Sequence, residues 1–124
     1  MKSDDSLSAI DLGFAKINLK DAHRHVFLCV GPDCCSSEEG LAVWEHLKQA
    51  LKVHSLPILR TKAACLRICC GGPWLVVYPE GVWYGGLTIE RCDRIVAEHL
   101  LNGRVISEWA TRVHPLPPNI LSAK

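Results

Sequence analysis

The stretch Cys65–Gly86, CLRICCGGPWLVVYPEGVWYGG, decides the fold. Its second half reads as a hairpin: an apolar, β-branched run from Trp74 to Tyr78, a turn centred on Pro79 and Glu80 with Gly81 free to take positive φ, and a return strand from Val82 to Tyr84. Its first half reads as a loop, because three of six consecutive residues are cysteine and Gly71, Gly72 and Pro73 offer little to pack.

Upstream, His25 to Val30 (HVFLCV) has the composition of a buried strand, broken by Gly31 and Pro32. Ser36 and Glu39 have the spacing of a capping box, and the helix they open places Leu41, Trp44, Leu47 and Leu51 on one face before ending near Val53. Leu56 to Thr61 (LPILRT) is a second short strand, so strand, helix and strand suggest a parallel pair joined by a crossover. Downstream, Thr88 caps a second helix with Ile89, Cys92, Ile95, Val96 and Leu100 facing inward, closed by Asn102 and Gly103. The expected architecture is α/β, β-α-β followed by β-β-α, with a mixed four-stranded sheet and two main helices. Residues 25–103 carry it. Residues 1–24 form an N-terminal extension whose order the weak periodicity leaves open. Residues 104–124 read as a proline-rich, extended tail, since Pro115, Pro117 and Pro118 bar an interior strand or helix.

A chain of 124 residues, 48% hydrophobic, has the length of one domain and the apolar content for one core. With 14 basic against 13 acidic residues and no long run of either sign, no broad footprint for nucleic acid or an anionic membrane is expected. The N-terminus lacks the apolar core of a signal peptide and no run is long enough to span a bilayer, so the expected location is cytoplasmic. In a reducing compartment, seven cysteines point to metal or redox chemistry before disulfides, and the odd count agrees.

Cys29 closes the first strand, with four residues between it and Cys34; Cys65 and Cys69 lie in the second loop with three between them. Two loops leaving neighbouring strands at one edge of a sheet can gather four sulfurs. Four thiolates suit an iron-sulfur cluster, zinc or Cu(I). Cys92, on the inward face of a helix, reads instead as a small core residue. Adjacent side chains point apart, so Cys35 and Cys70 read as bystanders beside a ligand. Distance along a straight strand excludes His25 as a ligand, since it starts the strand whose far end carries Cys29, about 13 Å away at about 3.3 Å per residue, and His46, His54, His99 and His114 are scattered.

The combination of HVFLCVGPDC, of CLRIC followed by CGGPWLVVYPEGVWYGG, and of IVAEHLLNG resembles the thioredoxin-like [2Fe-2S] ferredoxins, the family of the Shethna-type ferredoxins, related to the small cluster-bearing subunit of respiratory complex I. The resemblance runs from about His25 to Gly103. It implies a thioredoxin-like fold and a [2Fe-2S] cluster held by Cys29, Cys34, Cys65 and Cys69. The CC doublet leaves Cys35 as the alternative to Cys34, and loop spacing favours Cys34. A one-electron carrier between redox partner proteins is implied, not an enzyme, and commonly a homodimer. Two other readings stand beside it: a zinc or iron-sulfur module with a structural or sensory role, and a thioredoxin-like thiol oxidoreductase, against which the lack of any CxxC pair counts. Arg60, Lys62 and Arg67 surround the second cysteine pair and form a candidate docking face for an acidic partner.

Overall fold

Val26 and Leu28 point to one side of a strand and His25 and Phe27 to the other, the two-residue period of a pleated chain. This strand, β1 (Arg24–Cys29), lies parallel to β2 (Ile58–Ala63) and antiparallel to β3 (Leu75–Tyr78). The computed structural model describes residues 2–116, with side chains from residue 8 onward. Hairpin strand β4 (Val82–Tyr84) pairs with β3, and the sheet closes with β5 (Ala110–Val113) in the order β2-β1-β3-β4-β5. Gly81 takes φ 69° at the hairpin turn, as the glycine there requires.

The fifth strand corrects the expected four-stranded sheet. Ala110–Val113 lies ahead of the first tail proline, and pairs antiparallel with β4 across a register shift between Trp83 and Tyr84. Pro115 therefore follows an edge strand instead of interrupting one, which is where proline is tolerated. Pro117 and Pro118 lie outside the described residues. At the other end, α1 (Lys2–Lys16) forms a helix in the extension, and Ile10, Leu12 and Phe14 stand exposed on it.

Helix α2 (Ser37–Val53) starts as the sequence indicates: the Ser36 hydroxyl accepts from the Glu39 amide at 3.2 Å and donates to the Glu39 carboxylate at 3.0 Å. Its buried stripe runs through Gly40, Val43, Trp44, Leu47 and Leu51, while Leu41 is 42% exposed. The stripe begins at Gly40 because the helix touches the backbone of Val30 there; a Cβ at Gly40 would come within 2.4 Å of the Val30 carbonyl oxygen. Helix α3 (Ile89–Ile95) is capped by Thr88, whose hydroxyl accepts from the Arg91 amide, and it runs on through a π turn, Val96–Leu100. Its first residue, Ile89, is 45% exposed, whereas Cys92, Ile95, Val96 and Leu100 are buried. Both helices pack on the face that carries Val26, Leu28, Leu75, Val77 and Tyr84.

The π turn carries His99, fully buried, into a chain of hydrogen bonds. The Ile106 amide donates to Tyr84 Oη at 3.1 Å, so the hydroxyl proton is directed at His99 Nδ1, 2.8 Å away. His99 Nε2 then donates to Glu80 Oε2 at 2.9 Å, and Arg24 Nε donates to the same oxygen at 2.8 Å. Four elements distant in sequence are joined by one polar path.

Replacing Tyr84 with Phe leaves the buried Ile106 amide and His99 Nδ1 without partners. A loss of about 1–3 kcal/mol in unfolding free energy, read by urea denaturation, is expected. Burial holds the His99 pKa below the ordinary 6.5, against the opposing pull of Glu80. The unfolded chain thus binds the proton more readily, and this part of the stability is present above pH 6.5 and lost as pH falls below it. Glu80 adds a second loss further down, below the ordinary 4.5: burial would raise its pKa, but the bonds from Arg24 and His99 outweigh burial and lower it. His99→Gln should therefore be less stable at neutral pH yet flatter between about pH 7 and about pH 5, a comparison that paired urea titrations make directly.

Candidate metal centre

Cys29 sits at the last residue of β1 with no exposed surface, although the alternation of the strand puts it on the side of His25 and Phe27, opposite Val26 and Leu28. Its backbone amide donates to the Trp74 carbonyl at 3.0 Å, and the Trp74 amide donates to Cys29 Sγ at 3.1 Å. One residue ahead of β3 thus fixes both the backbone and the sulfur of Cys29. The first loop is then tied to the end of β2: Val30 N donates to Ala63 O at 2.8 Å and Gly31 N to Ala64 O at 3.2 Å. Gly31 has φ 93°, and a Cβ on it would meet the Cys35 carbonyl at 2.4 Å, so only glycine lets the loop double back to present the CC pair.

Cys34 is 4% exposed, and its sulfur lies 3.6 Å from that of Cys35. Its carbonyl accepts from the Gly72 amide at 2.9 Å, which brings the second loop directly against the first. Within the second loop, the Cys65 and Cys69 sulfurs are 3.7 Å apart. Arg67 adopts φ 77°, an uncommon conformation for a side-chain-bearing residue, and in doing so directs its amide at Cys65 Sγ, 3.1 Å away. Trp74 reaches back as well, its indole N–H donating to the Cys70 carbonyl at 2.7 Å.

The structure therefore places Cys29 near Cys34 and Cys35 on one loop, and pairs Cys65 with Cys69 on the other, across an interface stitched by backbone bonds. The thiols register each other electrostatically. Burial, then Cys34, pushes the Cys29 thiol up to about 12, and the same two causes in the same order push Cys35 up to about 11. Cys69 is raised by its hydrogen bond to Cys65, with Arg67 opposing weakly. Crowded thiols resist ionising together; a bound cation reverses that preference, because it stabilises every thiolate at once. Donor chemistry and crowding thus fit a thiolate-held metal group. Among the described residues no three His, Cys, Asp or Glu side chains converge on a single ion site.

Gly72 brings its backbone directly against Cys34, through the amide that donates to the Cys34 carbonyl. The amides aimed at sulfur belong instead to Trp74 and Arg67, and only a positive φ at a non-glycine residue, invisible in the sequence, puts the second one there. Cys92 is in the core, as expected: burial foremost, and nearby Asp93, push its thiol up to about 12.

No family profile matches the chain. A 2Fe-2S ferredoxin from Clostridium pasteurianum is 33% identical over 92 residues, spanning 67% of this chain and 90% of the relative. Another, from Aquifex aeolicus, is 30% identical over 93 residues, spanning 67% and 84%. A solved thioredoxin-like [2Fe-2S] ferredoxin from Aquifex aeolicus superposes with a TM-score of 0.68 at 28% identity, covering 80% of this chain and 98% of that one.

Exposure orders the seven thiols. In metal-free, reduced protein, iodoacetamide should label Cys69 and Cys70 first and Cys92 only after denaturant is added, which peptide mass spectrometry over a time course resolves.

Proposed function

This chain belongs to the thioredoxin-like 2Fe-2S ferredoxins, and from that premise we propose that it carries one [2Fe-2S] cluster on Cys29, Cys34, Cys65 and Cys69 and passes single electrons between redox partner proteins. The observation that carries the reading is the pairing of sulfurs on two loops held edge to edge, with backbone amides already directed at Cys29 and Cys65. When bound, the cluster supplies a one-electron couple. The chain supplies the rest. Trp74 N–H and Arg67 N–H direct positive dipole ends at sulfur, where added negative charge gathers on reduction, and such bonds are one means of raising a reduction potential.

Cys34 is favoured over Cys35 within the doublet because it is the more buried and because both Cys29 and Cys35 sense its sulfur. Burial differs across the site: Cys29 and Cys34 are inside, whereas Cys69 and Cys70 are exposed. The second loop is thus the side on which a partner approaches. Nothing else in the ligand loops serves turnover, since they hold no paired carboxylates beside the thiols, and the protein acts as a carrier and not as an enzyme. The proposal includes a symmetric homodimer, from the family resemblance, and a cytoplasmic location, where seven thiols stay reduced. A zinc module on the same thiolates is the reading that the metal analysis below separates from this one.

Protein purified without oxygen should be red-brown, contain about two irons and two sulfides per chain, and give an EPR signal once reduced. Stoichiometric zinc without sulfide would establish the zinc module instead. Cys29→Ala, Cys65→Ala and Cys69→Ala should each lose the visible absorption while Cys92→Ala keeps it, and loss in Cys35→Ala but not in Cys34→Ala would move the fourth ligand within the doublet. Gly72→Ala tests the interface without touching a thiol: its Cβ would sit 2.9 Å from the Cys34 carbonyl oxygen, so the loops must part and the cluster should be lost faster to a chelator.

A further inference from the structure

Strand β2 is the outermost strand on its side of the sheet, and among the described residues nothing pairs with its far edge. That edge is cationic. Arg60 and Lys62 stand over the Trp44 ring, each with its charged group 6.0 Å from the ring centroid, the outer limit of a cation–π contact. Trp44 is itself packed into the core, so the two cations project from a fixed platform. Beside them runs a groove of about 900 Å3 lined by Arg60 together with Lys16, Lys48 and Lys52, and among the described residues no acidic one lines it. Arg67 continues the series into the second cysteine loop. These six are drawn from a total of 14 basic residues, so the other eight stand against all 13 acidic ones. A nearly neutral chain thus has six of its 14 basic residues along this edge, its groove and the loop that continues it. Among the described residues, only Lys48 of the six has an ion-pair partner, Glu45 at 3.1 Å.

The backbone of the same edge is available. Val30 N donates to Ala63 O, so Ala63 turns its polar groups toward β1; alternation along the strand turns Thr61 and Leu59 the same way and leaves the N–H and C=O of Arg60 and Lys62 pointing outward. Charge on an exposed edge ordinarily serves to prevent strand pairing, and here it repels the identical edge of a second copy. It has the opposite effect on a strand bearing carboxylates. Nucleic acid fits less well, because its phosphates can use the outward amides but set oxygen against the outward carbonyls.

We infer that the outer edge of β2 binds an extended, acidic segment of a redox partner protein, added as a sixth strand with its carboxylates against Arg60, Lys62 and the groove lysines. The inference rests on the carrier reading in one respect: β2 runs at Ala63 into the loop that begins at Cys65, so a strand seated there ends beside the thiols. Strand addition supplies register through main-chain bonds, and the cations supply attraction and choice of partner.

The test uses full-length, cluster-loaded protein, verified by its visible spectrum, and a fluorescein-labelled peptide of alternating glutamate and threonine read by fluorescence anisotropy. Saturable binding is expected at low salt, weakened about tenfold or more by the double substitution Arg60→Glu/Lys62→Glu and by raising salt to about 0.5 M. Hydrogen exchange should show new protection at the Arg60 and Lys62 amides when peptide is bound, with Thr61 protected before and after. Absence of binding, binding indifferent to the charge reversal, no gain of protection at those two amides, or tighter binding of an oligothymidylate of equal charge would each overturn the inference. Retention of the visible spectrum by the reversed variant shows that it is folded and loaded. A chain that never acquires the spectrum defeats the carrier reading, whereas a loaded chain that ignores the peptide defeats this inference alone.

Discussion

The reciprocal contact between Cys29 and Trp74 is the constraint on which the site depends. One residue donates its amide to the other's carbonyl and receives an amide at its sulfur in return. The contact extends the β1–β3 ladder by one step past the regular strand, so the sheet's register is transmitted directly to a sulfur. Everything beyond it is secured by reference to that point: the first loop to the end of β2 through Val30 and Gly31, the second loop to the first through Gly72, and the hairpin to the second loop through the Gly86 amide on the Gly71 carbonyl.

What the sequence revealed and what it concealed divide by range. Local chemistry was legible: the Ser36–Glu39 box, the Thr88 cap, the positive φ of Gly81 and the break at Gly31 each depend on residues within a few positions of one another. The cysteine loops were legible as loops because their apolar content is low and their thiol content high. Strand β5 was hidden, because four residues of ordinary strand character acquire meaning only when β4 offers them an edge. So was the shift of the α2 stripe from Leu41 to Gly40, where a contact with Val30 outweighs the amphipathic pattern. The path from Arg24 through Glu80, His99 and Tyr84 to Ile106 left no signal at all, since directly bonded members are separated by as many as 56 residues.

That path also explains how a small sheet with short strands keeps its far end in order. The hairpin turn holds Glu80, the π turn holds His99, and the segment leading to β5 holds Ile106, so three irregular pieces of backbone satisfy one another through side chains that are otherwise expensive to bury. One oxygen, Glu80 Oε1, is buried with no partner of its own among the described residues, a cost accepted while the second oxygen takes two donors. The two ends of the sheet thus use different means. At one end backbone amides restrain sulfur, and at the other a buried imidazole restrains backbone.

The stitching of the second loop has a kinetic meaning. Cys70 is held through its carbonyl by the Trp74 indole, Gly71 through its carbonyl by Gly86, and Gly72 through its amide by Cys34, so three consecutive residues after the CxxxC pair are anchored. When a group fixed to such a frame gains or loses one charge, few nuclei have to move, because the dipoles that face it are already in place. The nuclear rearrangement that would accompany each transfer is then small, and the approach of a partner would weigh more in the rate than relaxation of the protein.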